Sequence, residues 1–172
     1  MPWRCLPLIA AASVYAGAAF ALAGTAEASR TVSGHGISVR LPSGWTGVVY
    51  QRVGGLPILH AGSFRLPPVD GDDGAQRAIR RMRPGDVLLV MLQYRPSSTT
   101  HFPRVLPLRL RRSDFATPVE GMPLTRAFAR IHFSAARRSF DLWIEFGGKH
   151  ARPAAIRAVD RVLATLRIGG RG

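Results

Sequence analysis

The stretch DVLLVMLQY, from Asp86 to Tyr94, decides the fold. It follows the turn signal Arg83-Pro84-Gly85 and stops at Arg95-Pro96. The uninterrupted apolar run inside it leaves no polar face, and β-branched residues between Pro and Gly favour a strand over a helix. Such a strand is covered on both faces. The rest of the chain therefore has to supply two covering layers.

Three short strands are predicted before this central strand. Gly36 to Leu41 (GISVRL) alternates apolar and polar residues, which is typical of a half-buried strand. After Pro-Ser-Gly and Gly-Gly turns, Trp45 to Val53 and Pro57 to Phe64 read as two returning strands. Together the three strands predict a β-meander.

A short amphipathic helix is predicted over Ala75 to Arg83, directly before the central strand. The preceding acidic loop, Asp70 to Gly74, allows two interpretations. Asp72 and Asp73 stand where an N-cap and a favourable dipole charge belong. The alternative is weak divalent binding, although the loop lacks the spacing of a calcium-binding EF-hand.

The clearest pattern after the central strand lies in Leu124 to Phe146, which predicts a hairpin. Both arms alternate, and a tight turn at Ala135 to Arg138 places His132 beside Asp141 and Arg130 beside Trp143. The apolar residues of both arms then share one side of the sheet. In contrast, Arg95 to Gly121 is rich in Pro, Ser and Thr, and any strand around Pro107 would be an edge strand.

A second amphipathic helix is predicted over Ala154 to Leu166, with Pro153 at its first position and Ile168 to Gly172 as a loose tail. The fold class expected is α+β: a mainly antiparallel sheet with an N-terminal β-meander, a central buried strand, a C-terminal hairpin and two flanking helices.

The N-terminal segment, residues 1–28, resembles a targeting sequence. A short basic start, the apolar run from Cys5 to Ala23 and the small-residue site Ala26-Glu27-Ala28 predict a signal peptide cleaved after Ala28. An uncleaved N-terminal anchor is the alternative, because the run approaches the roughly 20 residues that a bilayer requires. Either way, residues 29–172 are expected to form a single α+β domain in a secreted or membrane-tethered, extracytoplasmic protein.

The composition limits the partners and the kinds of chemistry that are expected of the chain. The chain carries a formal charge of +14, and every basic residue except Lys149 is arginine. Anionic lipid, cell-wall polymers or an envelope protein are the expected partners, and nucleic acid is not expected, since no recognition motif accompanies the charge. The only cysteine is Cys5, which removes thiol chemistry from the mature part. The histidines show no metal-ligand spacing, so neither a metal nor another cofactor is expected.

The predicted hairpin supplies the candidate binding face, which is expected to be exposed. It comprises Arg126, Phe128, Arg130, His132, Asp141 and Trp143. The leading interpretation is a non-enzymatic accessory or binding domain with no catalytic residues. The alternative is a hydrolase using His132 and Asp141, although no GxSxG motif supplies a nucleophile.

Three segments resemble a known group of proteins. GISVRLPSGW, GDVLLVMLQY and AVDRVLATLRI look like parts of small exported actinobacterial proteins of unknown function with a PsbP/Mog1-like domain. The resemblance covers roughly residues 36–168 and implies an antiparallel sheet flanked by helices. It implies an accessory or binding role, and it carries over no catalytic residue.

Overall fold

The computed structural model describes residues 29–68, 75–95, 102–115 and 126–170, so the predicted N-terminal targeting segment and the acidic loop lie outside the described residues. The strands are β1 (Arg30–Gly34), β2 (Ile37–Leu41), β3 (Thr46–Gln51), β4 (Pro57–Gly62), β5 (Val87–Gln93), β6 (Phe128–Ala135), β7 (Arg138–Phe146) and β8 (Arg167–Ile168). The helices are α1 (Gln76–Arg81) and α2 (Pro153–Thr165), and a 3₁₀ turn spans Arg112–Asp114.

The strands form two antiparallel sheets, and the α+β prediction is confirmed. The larger sheet has five strands in the order β3-β4-β5-β7-β6, and the smaller has three in the order β1-β2-β8. Strand β5 is the middle strand of the larger sheet, between β4 and β7. The stretch that predicted a central strand therefore takes that position.

Strand β5 is covered on both faces, as its sequence requires. Val87, Leu89 and Met91 point into the main core, where they meet α2 and the inner residues of β2, β6 and β7. Leu88 and Val90 point the other way into a second cluster with α1. Each fully buried aliphatic side chain contributes about 1.5–3 kcal/mol, so the two layers anchor the middle of the sheet.

The pairing of the N-terminal strands differs from a simple meander. The three predicted strands are present as β2, β3 and β4, but β2 pairs with β1 and β8 instead of β3. The chain changes sheet at the turn Pro42 to Trp45, where Gly44 has a φ of 77° and the Trp45 N–H donates to the Pro42 carbonyl at 3.2 Å. This turn lets Leu41, fully buried, face the main core while β3 starts the other sheet.

Both helices are close to their predicted positions, with corrections at their ends. Helix α1 begins after Ala75, which has a φ of 55°, and no acidic side chain lies in its first turn. The N-cap is therefore Ala75 and not Asp72 or Asp73. Helix α2 begins at Pro153 as predicted. The predicted loose tail is wrong for Ile168, which pairs with Ile37 in β8 because β2 offers an open edge there.

The Pro-rich segment contributes no strand within residues 102–115. Its backbone bonds instead to neighbouring elements: the Arg104 carbonyl accepts from Ser134 N on the edge strand β6 at 2.9 Å. The Leu110 N–H donates to Asp160 Oδ1 of α2 at 2.7 Å. Leu108 fills the core with 2% of its surface exposed. The segment is thus fixed across β6 and α2.

Candidate functional site

The carboxylate of Asp141 is the centre of the predicted face. It lies on β7 with 3% of its residue surface exposed. Arg130 on β6 donates to both of its oxygens, from Nε to Oδ1 at 2.9 Å and from Nη2 to Oδ2 at 2.6 Å. This is the bidentate geometry in which arginine and carboxylate bind most strongly. A buried charge therefore has its counter-charge in place.

Two further donors and a histidine ring surround the same carboxylate. Trp143 Nε1 donates to Oδ2 at 2.7 Å, and the Tyr94 hydroxyl lies 3.5 Å from Oδ2. His132 Nε2 lies 3.3 Å from Oδ1. A carboxylate offers about four lone-pair sites, and Asp141 has donors for all of them. It is a structural acceptor held by its neighbours, with little capacity left for a ligand.

The hairpin register explains this convergence. The pairs His132↔Asp141 and Arg130↔Trp143 are those that the sequence predicts, and Ser134 pairs with Ser139 next to the turn. Positive φ values of 50° at Ala136 and 58° at Arg137 form the tight turn that sets them. The prediction that places His132 beside Asp141 is confirmed. The stronger partner is the diagonal Arg130, because a long side chain reaches the diagonal neighbour of an antiparallel pair.

Aromatic side chains cover one side of the Asp141 cluster, a contact that the sequence does not predict. Phe102 stacks on the His132 ring with centroids 4.8 Å apart and planes 21° apart. The ring centroids of Tyr94 and Phe102 lie 5.5 Å apart. The backbone N–H of Tyr94 donates to the Ser139 carbonyl at 2.8 Å. On the other side the Arg130 guanidinium lies 5.7 Å from the centre of the Trp143 ring. No local pattern marks Phe102, since it arrives from the irregular segment.

The pKa shifts of Arg130 and Tyr94 are consistent with an Asp141 carboxylate whose hydrogen bonds are already made. The hydrogen bonds that Arg130 donates to Asp141 raise the pKa of the guanidinium above its ordinary value, against the opposing effect of burial. Burial raises the pKa of the Tyr94 phenol, and the nearby Asp141 carboxylate raises it further. Both groups keep their protons at neutral pH. The cluster is thus one anion between a cation and a neutral phenol.

Arg126 belongs to a different contact. Its Nη1 donates to the Ile79 carbonyl of α1 at 2.8 Å and lies 3.9 Å from Glu145 Oε2. Glu145 is 5% exposed, and burial raises the pKa of its carboxyl while Arg126 lowers it. Arg126 therefore ties the sheet to α1 and does not join the Asp141 cluster.

The expectation of an exposed binding face is corrected by the burial of its members. Phe128 is 6% exposed and Asp141 3%. Helix α1 covers the β5 side of this face, and the segment that begins at Phe102 covers the end near His132. Arg130 and His132 remain partly exposed to solvent, with side chains that are 29% and 38% exposed.

The hydrolase alternative needs a nucleophile near His132. The nearest hydroxyl along β6, Ser134 Oγ, is engaged with Ser139 Oγ at 3.2 Å and with the Phe102 N–H at 3.0 Å. Within the described ranges no three His, Asp or Glu side chains lie close enough to hold a metal ion. The described part of the cluster therefore holds a structural network and offers no activated nucleophile.

A second candidate site lies on α2, where arginines from two separate stretches of the sequence are found. The bond from Leu110 N to Asp160 Oδ1 fixes the irregular segment against the helix, and Leu110 packs on the same core as Ile156. The residues beside these contacts are basic and exposed. We call them the α2 basic surface: Arg109, Arg111 and Arg112 of the segment with Arg157 and Arg161 of the helix.

Two carboxylates among the described residues lie beside this surface. Asp160 accepts from Leu110 N, and Asp114 accepts from Arg104 Nη1 at 2.6 Å and from Arg111 N at 2.7 Å. Asp114 is 8% exposed, so its charge is directed inward. The five arginines of the surface are exposed on the segment and on the helix that the bond from Leu110 to Asp160 joins, which gives a positive field that favours anions.

No family model, curated protein or solved structure matches the chain. Neither described helix is long and apolar enough to cross a membrane.

Proposed function

We propose that the chain is an extracytoplasmic accessory domain of the cell envelope that binds anionic lipid or wall polymer through the α2 basic surface. The single observation that carries the proposal is the bond between Leu110 and Asp160. It brings two arginine clusters, separate in sequence, onto one side of the molecule. A dispersed charge would only keep the protein soluble, whereas a local cluster attracts polyanions.

The physical mechanism is charge neutralisation. Arginines held side by side repel one another, and a headgroup or polymer phosphate relieves that repulsion while accepting bidentate hydrogen bonds. The charge of Arg130 on the hairpin is paired with Asp141 and adds little to this attraction. The buried Asp141 holds Arg130 in place and does not itself bind.

The proposal is tested by co-sedimentation of residues 29–172 with anionic vesicles, with neutral vesicles and with purified cell wall, each over a salt series. Binding to the anionic materials is expected, and it should weaken as salt rises because exposed charges more than about 10 Å apart are screened at 0.1 M. Equal binding to neutral vesicles, or no binding at the lowest salt, contradicts the proposal.

The segment 1–28 is left out of this measurement because its apolar run would itself bind vesicles. All strands and helices of the described fold are retained without this segment, since the first strand, β1, starts at Arg30. Residues 29–172 with Arg80 and Arg81 of α1 replaced by glutamine serve as the charge-matched reference for variants of the α2 basic surface.

A further inference from the structure

A cleft lies between the last turn of α2 and the end of β2, next to the α2 basic surface. It has a volume of about 370 Å³, and small-molecule sites typically have volumes of about 300–1,000 Å³. Its lining combines the apolar residues Leu41, Pro42 and Ala164 with the cations Arg40 and Arg161. Arg161 is also a member of the α2 basic surface, so the cleft continues that surface.

The side-chain directions on both walls agree with a cleft that opens to the outside. In β2 the side chains of Val39 and Leu41 are buried in the main core, whereas Arg40 between them is exposed. Strand alternation therefore puts Arg40 on the outer face of the smaller sheet. Arg161 and Ala164 are both exposed on α2, and their spacing of three residues puts them on one face of the helix. A ligand on the outside can thus contact residues of both walls.

Backbone contacts join the two walls. The Arg40 N–H donates to Thr165 Oγ1 at 3.0 Å, and the same hydroxyl lies 3.2 Å from the Arg40 carbonyl oxygen. Strand β8 follows directly after α2 and pairs with β2. The backbones that carry Arg40 and Arg161 are therefore held at a fixed spacing, so the cleft is part of the fold.

The cleft is apolar and positively charged. Among the residues that the structure describes, no carboxylate lines it. Leu41 is fully buried and Pro42 half-buried, whereas Arg40 and Arg161 are exposed. The positive charge thus lies toward the solvent, and the aliphatic stems of arginine side chains can cover apolar surface beneath it. This arrangement matches an anion that carries an apolar chain.

We propose that the cleft holds the first methylene groups of one acyl chain of an anionic phospholipid, with the lipid phosphate between Arg40 and Arg161. This inference rests on the function proposed above and names lipid as its ligand. A wall polymer would supply phosphate to the arginines but no apolar chain to Pro42 and Ala164, whereas a lipid supplies both. The α2 basic surface attracts the anionic membrane, and the cleft selects a lipid molecule within it.

The test uses dihexanoyl phosphatidylglycerol, below its critical micelle concentration, as the probe. Glycerophosphoglycerol is the control with the same headgroup and no acyl chain, and dihexanoyl phosphatidylcholine is the control without net charge. The full chain is titrated with each, and the methyl signals of Ala164 and Thr165 are followed by NMR, so that lipid bound by residues 1–28 is not counted. We expect the probe to shift both signals, with an affinity at least about tenfold above that of either control.

Two variants with the same added charge separate the cleft from general attraction. Ala164→Glu places a carboxylate in the cleft wall and should weaken binding of the probe by at least about tenfold. Ala154→Glu adds the same charge at an exposed position in the first turn of the same helix, outside the cleft lining, so it should leave binding close to wild type. Glutamate is a good helix former, and the melting curve of each variant verifies folding. Arg40→Gln removes one of the two cations and should weaken binding of the probe about fivefold.

Three results would overturn the proposal. Glycerophosphoglycerol binds as tightly as the probe if the cleft takes no acyl chain. Phosphatidylcholine binds as tightly if the two arginines select no anion. Ala164→Glu and Ala154→Glu weaken binding equally if the net charge of the protein attracts the probe.

Co-sedimentation with anionic vesicles and cell wall measures the proposed function separately. If anionic vesicles still bind but the probe is not preferred over its controls, the cleft is refuted and the α2 basic surface is not. If neither anionic vesicles nor cell wall bind, the proposed function is refuted, and the inference that rests on it is refuted as well.

Discussion

Replacing Asp141 with alanine should lower the free energy of unfolding by about 3 kcal/mol. The carboxylate is 3% exposed and accepts two hydrogen bonds from Arg130 and one from Trp143. Breaking a fully buried ion pair costs about 3–5 kcal/mol, since the remaining charge is left without a partner. The Arg130 side chain is 29% exposed, so water replaces part of what it loses, and the low end of that range applies.

The assay is urea denaturation at neutral pH, followed by circular dichroism. His132→Ala is the matched control on the same cluster, because it removes a partly exposed ring that lies 3.3 Å from Asp141 and leaves the bidentate pair intact. We expect that variant to fold normally and to lose less than about 1 kcal/mol. A double-mutant cycle that combines Asp141→Ala with Arg130→Ala then measures the interaction energy of this ion pair. If the free energy of unfolding of Asp141→Ala lies within about 1 kcal/mol of the wild-type value, the Asp141 cluster does not stabilise the hairpin as described.

Three more predictions concern stability. Val90→Asp should prevent folding, since it places an unpaired charge in the central strand; a purified variant with an unchanged melting curve would refute the central position. Glu145→Gln should be at least as stable as wild type at pH 7, because the raised pKa of Glu145 means that its charge opposes folding above that pKa. The stability advantage of Glu145→Gln should vanish towards about pH 4. If wild type instead became the more stable of the two as the pH rises, the reasoning would be contradicted. Gly147→Ala should cost about 2–3 kcal/mol in thermal denaturation, because its Cβ would clash with the Arg83 carbonyl oxygen; Gly148→Ala, with no atom closer than 4.0 Å, should cost less than about 0.5 kcal/mol, and equal costs would contradict the contact.

The elements that the sequence predicts well are those with a strong local pattern. The apolar run of β5 indicates burial on both faces, and the alternation of β6 and β7 fixes the register to the residue. Alternation is informative because a slip of one residue would turn every inner side chain outward. The same alternation, combined with the tight turn, is sufficient to place His132 next to Asp141.

The elements that the sequence does not predict have no such pattern. Strand β1, RTVSG, is largely exposed and polar, and β8 has only two residues. Their pairing depends on the open edges of β2, which is a property of the tertiary structure. Likewise, nothing local indicates that Leu110 contacts Asp160, which is 50 residues away. The α2 basic surface and the cover of Phe102 on His132 both arise from that irregular segment, so the sequence identifies the arginines but does not show that they lie together.

The measurement that tests the central claim most directly compares two double variants of residues 29–172 on anionic vesicles at constant salt. Arg157→Gln with Arg161→Gln removes two charges from the α2 basic surface, and Arg80→Gln with Arg81→Gln removes the same charge from exposed positions on α1. A basic residue near an anionic membrane contributes about 1 kcal/mol. The account predicts that the α2 variant binds about 30-fold more weakly while the α1 variant stays close to wild type. Equal losses in the two variants would show that the net charge binds and that the α2 basic surface has no special role.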